Sequence, residues 1–322
     1  MILNHRRLCP LDRLASDISD VYTEFSDLYP SLTSEMVKEI QKSIQNGSYS
    51  FSPILVNFFF DKGECPQYSP LILHIHDPNI NFSLSSREED RLVFFTLGVM
   101  IIHYFLYEDI ILMRNSFGMK MLLSDYYDMV SSSGTLNKLV VIDLTNTLSV
   151  LNKYCLLSRL SQKVKDDSIM ELIEKFLHIP LKDEYGVDLT ADLGCNIPPA
   201  GFLTDVILNI ALSDFDMEFQ SLFPELKFTR YVNEVLVYFP TSECMHVKHY
   251  LLFEELVLSI FEKLNLSGKF RCLNPGDGPV PCLGGVVCVS PDGKIQVFTM
   301  NDDGSYGSAR MPSTGKLARA FD

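Results

Sequence analysis

Two places in the chain set an acid or an amide at the edge of an apolar run, where a strand would present it. In "NKLVVIDLTN" (Asn137 to Asn146) a short continuous apolar stretch closes on Asp143. In "KFTRYVNEVLVYF" (Lys227 to Phe239) a β-rich run crosses the polar pair Asn233-Glu234. Closely set carboxylates do acid–base or cation-binding chemistry. The same residue types form ordinary turns and strand-end caps. Both readings stay open here, an acidic site or a plain hairpin turn. Other chemistry is poorly supplied. The eight cysteines, Cys9, Cys65, Cys155, Cys195, Cys244, Cys272, Cys282 and Cys288, are scattered, with no C-x-x-C pair and no Cys/His spacing suited to zinc. They read as free thiols of a reducing compartment. His74, His76, His246 and His249 show no ligand spacing and read as core or surface histidines.

The elements that would position those residues follow from periodicity. "DRLASDISDVYTEFSDLY" and "SEMVKEIQKSIQNG" predict two opening helices, the second capped at Asn46-Gly47. "SYSFSPILVNFFF" and "SPLILHIHD" around "DKGECPQ" predict a hairpin, and a long apolar helix begins near Ser86. "NKLVVIDLTN" has the pattern of a buried central strand, and "DDSIMELIEKFLHI" that of an amphipathic helix with acids in its first turn. "IPPAGFLTDVILNIALSDFDMEFQSLF" predicts a tight turn and one long helix, followed by the hairpin around Asn233-Glu234. A further helix ends near Ser267-Gly268, then come a loop "NPGDGPVPC" and a strand pair "GGVVCVSPDGKIQVFTM" turning at Ser290 to Gly293. The Gly/Ser-rich end, residues 301–322, predicts a flexible tail.

Composition bounds the possibilities. With 322 residues, 47% of them apolar and 11% aromatic, the chain buries a substantial core. Its 27 basic and 41 acidic residues give a net charge of −14, the wrong sign for a strong nucleic-acid binder. "MILNHRRLCPLDRLASD" reads as neither a secretory signal nor a transit peptide, so organellar work would imply organellar synthesis. The apolar run from Leu92 to Met113 falls short of the roughly 20 residues needed to span a bilayer. It reads as a buried helix, with membrane association as the alternative.

The order of these elements, with the residues inside them, resembles the fingers and palm of a reverse transcriptase, most closely of the group II intron maturase type. That family's first palm strand reads roughly L-D-I-x-x-x-F-D, and "VVIDLTNTLS" matches it at Asp143 but has Leu148-Ser149 where the family has Phe-Asp. Its turn-helix reads G-I-P-Q-G-x-x-x-S-P-x-L-x-N-I-x-L-x-x-L-D, and "NIPPAGFLTDVILNIALSDFD" keeps Ile197, Pro198, Gly201, Leu203, Asn209, Ile210, Leu212 and Asp216. Pro199 replaces the glutamine, and Thr204-Asp205 replaces Ser-Pro. The R-Y-A-D-D hairpin appears as "RYVNE", with Arg230 and Tyr231 kept and Asn233-Glu234 at the two aspartates. "CLGGVV" is similar to the primer-steadying hairpin, and "LNLSGKF" to the lysine-bearing segment before it.

The resemblance implies an α+β fold with fingers and palm, a small antiparallel palm sheet packed on helices, and no complete thumb. It implies N-terminal helices and fingers over 1–136, a palm over 137–300, and the tail over 301–322. Polymerases of this kind use two divalent ions held by acids on adjacent strands. Here Asp143 alone keeps its metal-binding type; Asn233 removes a charge, and Glu234 extends one by a methylene, which suits an octahedral Mg2+ shell badly. Lys269 stands where the family has its lysine, and reads as a vestigial general acid or as a solvated surface lysine. Pro198, Pro199, Gly201, Asn209 and Tyr231 stand at nucleotide-pocket positions, and Pro199 has neither a side-chain donor nor an N–H. The reading is therefore a degenerate reverse-transcriptase-like protein without polymerase activity, requiring no cofactor, with Mg2+ relevant only to residual activity. Two alternatives stand beside it: a residual RNA-binding maturase, and a mitochondrial protein associated with a membrane or a protein partner. The resemblance places the latter among plant mitochondrial reading frames derived from intron reverse transcriptases, some of them linked to cytoplasmic male sterility.

Overall fold

The computed structural model of the chain describes residues 10–60, 80–105, 138–144, 151–191, 196–231, 233–239, 247–273, 280–282, 285–289, 295–300 and 306–308. In chain order the first elements are α1 (Pro10–Phe25), α2 (Ser34–Gln45), β1 (Ile54–Phe60), β2 (Ile80–Ser85) and α3 (Glu88–Phe105). Next come β3 (Lys138–Asp143), α4 (Lys153–Lys163), α5 (Asp167–Leu177), β4 (Leu181–Lys182), α6 (Phe202–Ala211) and α7 (Ser213–Leu222). The last are β5 (Lys227–Tyr231), β6 (Glu234–Phe239), α8 (Val247–Leu264), β7 (Lys269–Leu273), β8 (Val280–Cys282), β9 (Gly285–Val289), β10 (Ile295–Met300) and β11 (Tyr306–Ser308). The fold is α+β, with small sheets packed on helices.

The chain divides into two compact units that it crosses between more than once: Met1–Asp109 with Leu151–Ile210, and Ile110–Val150 with Ala211–Asp322. This differs from a single division at 136/137, because residues 151–210 rejoin the first unit.

In the first unit, β1 pairs antiparallel with β2 and parallel with β4. Its helices start where side chains satisfy the free N–H groups of the first turn: Thr33 Oγ1 accepts from Met36 N, and Asp166 Oδ1 from Ile169 N. The α3 helix is nearly apolar all round and is buried on many sides, with Leu92, Val93, Leu97 and Ile101 fully enclosed. Its first turn carries Asp90, also buried, whose carboxylate accepts from Tyr49 Oη at 2.7 Å and Ser52 N at 3.0 Å. Among the described residues no helix is long and apolar enough to cross a membrane.

In the second unit the sheet runs β5-β6-β3-β7, antiparallel throughout, with β3 central. Helices α7 and α8 cover one face: Phe215, Phe219, Phe253, Val257 and Phe261 meet Val140, Ile142, Val235 and Val237. Alternation along the strands makes this face, because every second residue of β3 and β6 points to the helices. A separate sheet, β11-β10-β9-β8, follows in the same unit.

Five expectations are corrected. The partner of β1 is Ile80–Ser85 rather than "SPLILHIHD", which lies outside the described residues. The long helix after Pro198-Pro199 is two helices broken at Leu212, two residues after the first unit ends at Ile210. The helix expected to end near Ser267-Gly268 ends at Leu264, because Asn265 turns left-handed (φ 52) and Leu266 N closes on Phe261 O at 2.8 Å. "NPGDGPVPC" is not all loop, since β8 occupies its end. The expected tail contains β11, antiparallel to β10. The strand pair in "GGVVCVSPDGKIQVFTM" forms as β9 and β10, and the turn between them lies outside the described residues.

Candidate functional site

The two acidic places in the sequence meet at one end of the β5-β6-β3-β7 sheet. Asp143 closes β3, Glu234 opens β6, and the two stand directly opposite each other in the antiparallel register. Directly opposed residues share a sheet face with Cβ atoms roughly 4.5–5.5 Å apart. Lys269, the first residue of β7, stands opposite Asp143 on its other side. Tyr231 closes β5 opposite Glu234. One row thus crosses four strands: Tyr231, Glu234, Asp143, Lys269. Glu234, Asp143 and Lys269 lie on the face away from α7 and α8, since the neighbouring Val235, Ile142 and Phe270 face those helices.

Asn233 sits differently from the pair it was read with. It occupies the turn and is 5% exposed, and its backbone oxygen accepts from Leu144 N at 2.7 Å. Glu234 is not part of the turn; it is a half-buried strand residue. Gly268 lets β7 approach: a methyl group there would meet the Phe261 ring at 2.8 Å and Asp143 O at 2.9 Å. Glycine is therefore required for Lys269 to start its strand against Asp143.

The donor set does not fit a pair of divalent ions. Two such ions need several carboxylates around them, whereas this row offers two, with an exposed ammonium next to one of them. Among the described residues no group of three or more His, Cys, Asp or Glu side chains could hold a metal ion.

Directly behind the row lies a feature the sequence reading knew only as motif letters. Arg230 is 1% exposed, and its Nε donates to Asp216 Oδ1 at 2.8 Å while Nη2 donates to Oδ2 at 2.5 Å. This fork ties β5 to α7 immediately before the turn. Period-two alternation could have found it: Arg230 shares a face with Phe228, and a charge on an apolar face demands a buried counter-charge.

The other predicted positions belong to the first unit. Pro198 and Pro199 are buried, and Gly201 turns left-handed at φ +66. Thr204 Oγ1 donates to Pro198 O at 2.6 Å and accepts from Ala200 N at 2.8 Å, so the hydroxyl braces the turn that starts α6. Phe202 packs against Gly98, where a methyl group would meet its ring at 2.8 Å. Asn209 is fully buried. Asp205, seen in the sequence only as a departure from Ser-Pro, has a buried Oδ1 without a hydrogen-bond partner, and burial pushes its carboxyl up to about 7.

No family model matches the sequence, and no curated protein matches it. Among solved structures, telomerase from Candida albicans in complex with the TWJ fragment of telomeric RNA is similar over 72% of this chain, at 14% identity and a TM-score of 0.46. Apo telomerase from Candida tropicalis, truncated from its C-terminal domain, is similar over 65% of this chain, at 12% identity and a TM-score of 0.41. This chain spans 42% and 47% of those two chains.

Proposed function

We propose that this chain is a reverse-transcriptase-like protein of the intron maturase type whose palm no longer supports polymerisation. The observation that carries the reading is the register that sets Asp143 opposite Glu234 at one sheet end. These residues come from stretches far apart in sequence, and the motif order required them to meet there. Two unrelated turns would have no reason to align.

The loss of activity follows from the chemistry of the same row. In a polymerase the metal pair deprotonates the primer hydroxyl and stabilises the leaving pyrophosphate. Here one charge is missing at Asn233, which is also buried. A second is carried on the longer arm of Glu234, and Mg2+ tolerates little displacement of its ligands. A protein with this row acts by binding rather than by phosphoryl transfer, and its charge of −14 favours a protein over a nucleic-acid partner.

Primer extension tests this directly. The purified chain, given a primed RNA template and deoxynucleotides with Mg2+ or Mn2+, is expected to add no nucleotide. Extension abolished by Asp143→Asn would refute the proposal.

A further inference from the structure

Helix α8 carries more leucine than its buried side uses. Phe253, Val257, Ile260 and Phe261 belong to the core over the sheet. Turned away from them, Leu251 is 51% and Leu258 50% exposed. Glu255 and Glu262 are exposed on the same side. Leu251, Glu255, Leu258 and Glu262 follow one another at intervals of four, three and four residues, so they line one stripe of the helix. Leucine and glutamate each recur after seven residues, a rise of about 10 Å. Singly exposed leucines are ordinary on a protein surface. An apolar repeat of seven with a charge set beside it is the form in which one helix receives another. The carboxylates are also uncommitted: Lys263 is held by Glu218, and the side chains of Glu255 and Glu262 have no hydrogen-bond or ion-pair partner among the described residues.

We propose that this stripe of α8 docks a basic amphipathic helix of a protein partner, Leu251 and Leu258 meeting its apolar side chains while Glu255 and Glu262 meet its lysines or arginines. This rests on the reading of the chain as one that acts by binding a protein. Charge decides the occupant. A second copy related by a two-fold axis would present the same patch from both sides and bring glutamate against glutamate. The net charge of −14 on each chain adds to that repulsion. An anionic lipid surface is repelled by the same acids. A helix with lysine or arginine flanking its own apolar repeat answers leucine and glutamate together, and flanking charges of this kind set partner choice. Two repeats make a small contact, so the association is transient and weakens with salt.

The test uses the full chain and two labelled synthetic helices, one of leucine, alanine and lysine, the other with glutamate for lysine, followed by fluorescence anisotropy at low salt. The wild type is expected to bind the lysine helix and not the glutamate helix. Glu255→Lys/Glu262→Lys should weaken binding of the lysine helix about tenfold or more and turn the preference towards the glutamate helix. Leu251→Gln/Leu258→Gln, at exposed positions, should weaken it about tenfold with an unchanged circular dichroism spectrum. Glu35→Lys/Glu39→Lys makes the same change in net charge on the exposed side of α2 and should leave binding within about twofold. An equal loss in the α2 variant would assign binding to net charge and overturn the proposal, as would no binding by the wild type or no loss in the α8 charge variant. A dimer in sedimentation that Leu251→Gln/Leu258→Gln dissociates would overturn it in favour of a second copy. Primer extension by the wild type would instead refute the non-catalytic reading, whatever the helices do, so the two failures remain distinct.

Discussion

On the consecutive helices α6 and α7, Asp205 and Asp216 both place carboxylate oxygen out of water, and they are handled in opposite ways. Asp216 is answered by the Arg230 fork, with both side chains buried. Asp205 has an Oδ1 with no hydrogen-bond partner, and its carboxyl is pushed up to about 7. A buried carboxylate must be paired or it becomes easy to protonate. The difference separates the two units in character. The second is pinned by a buried ion pair, while the first contains a buried carboxyl pushed up to about 7.

Removing the cation breaks the contrast most severely. Arg230→Met leaves Asp216 as an uncompensated buried charge, a change that costs roughly 3–5 kcal/mol. Urea denaturation should show it, and the double variant Asp216→Leu/Arg230→Met should recover most of the loss, because two apolar side chains need no pairing. A loss under about 1 kcal/mol in the single variant would mean that the fork does not hold β5 to α7.

The second test acts on the unpaired aspartate. Its folded-state pKa, about 7, lies above the ordinary 3.8, so the folded state holds its proton to higher pH than the unfolded state does. Stability from this group is therefore highest near pH 4 and falls as pH rises towards 7, flattening above it. Three pH units correspond to at most about 4 kcal/mol. An amide in the same place keeps a burial cost of roughly 1–3 kcal/mol. Asp205→Asn should thus raise stability at pH 8 by about 1–3 kcal/mol, give no gain at pH 4.5, and remove the decline between them. Urea midpoints at the two pH values measure this; a parallel decline in both proteins would assign it to other groups.

How much of this was legible in the sequence depended on the range of the signal. Asp143 at a strand end and the Lys227–Phe239 hairpin were readable because local alternation and motif order determine them. The strand Lys269–Leu273 was not read, although its alternation of Phe270 and Cys272 with Lys269 and Arg271 is a strand pattern; five residues between a helix and a loop are a weak local signal. The break at Leu212 was invisible, since the apolar periodicity continues across it. Asp205 could not be found at all, because desolvation is a property of the packed surroundings and leaves no mark in neighbouring residues.

The smallest expected effect comes from a second short ion pair on α7. Glu218 Oε1 accepts from Lys263 Nζ of α8 at 2.6 Å, close to the distances in the Arg230 fork. Distance alone would rank the two pairs together. Yet the Lys263 side chain is 60% exposed and that of Glu218 35%, against 0% and 2% for Arg230 and Asp216. Water already solvates the exposed pair in either state, and ordering two long side chains costs entropy, so such a contact contributes roughly 0–1 kcal/mol. Lys263→Ala should therefore shift stability by no more than about 0.5 kcal/mol at moderate salt, and adding salt should erase the shift. A loss approaching that of Arg230→Met would show that burial does not set the scale of ion pairing in this unit.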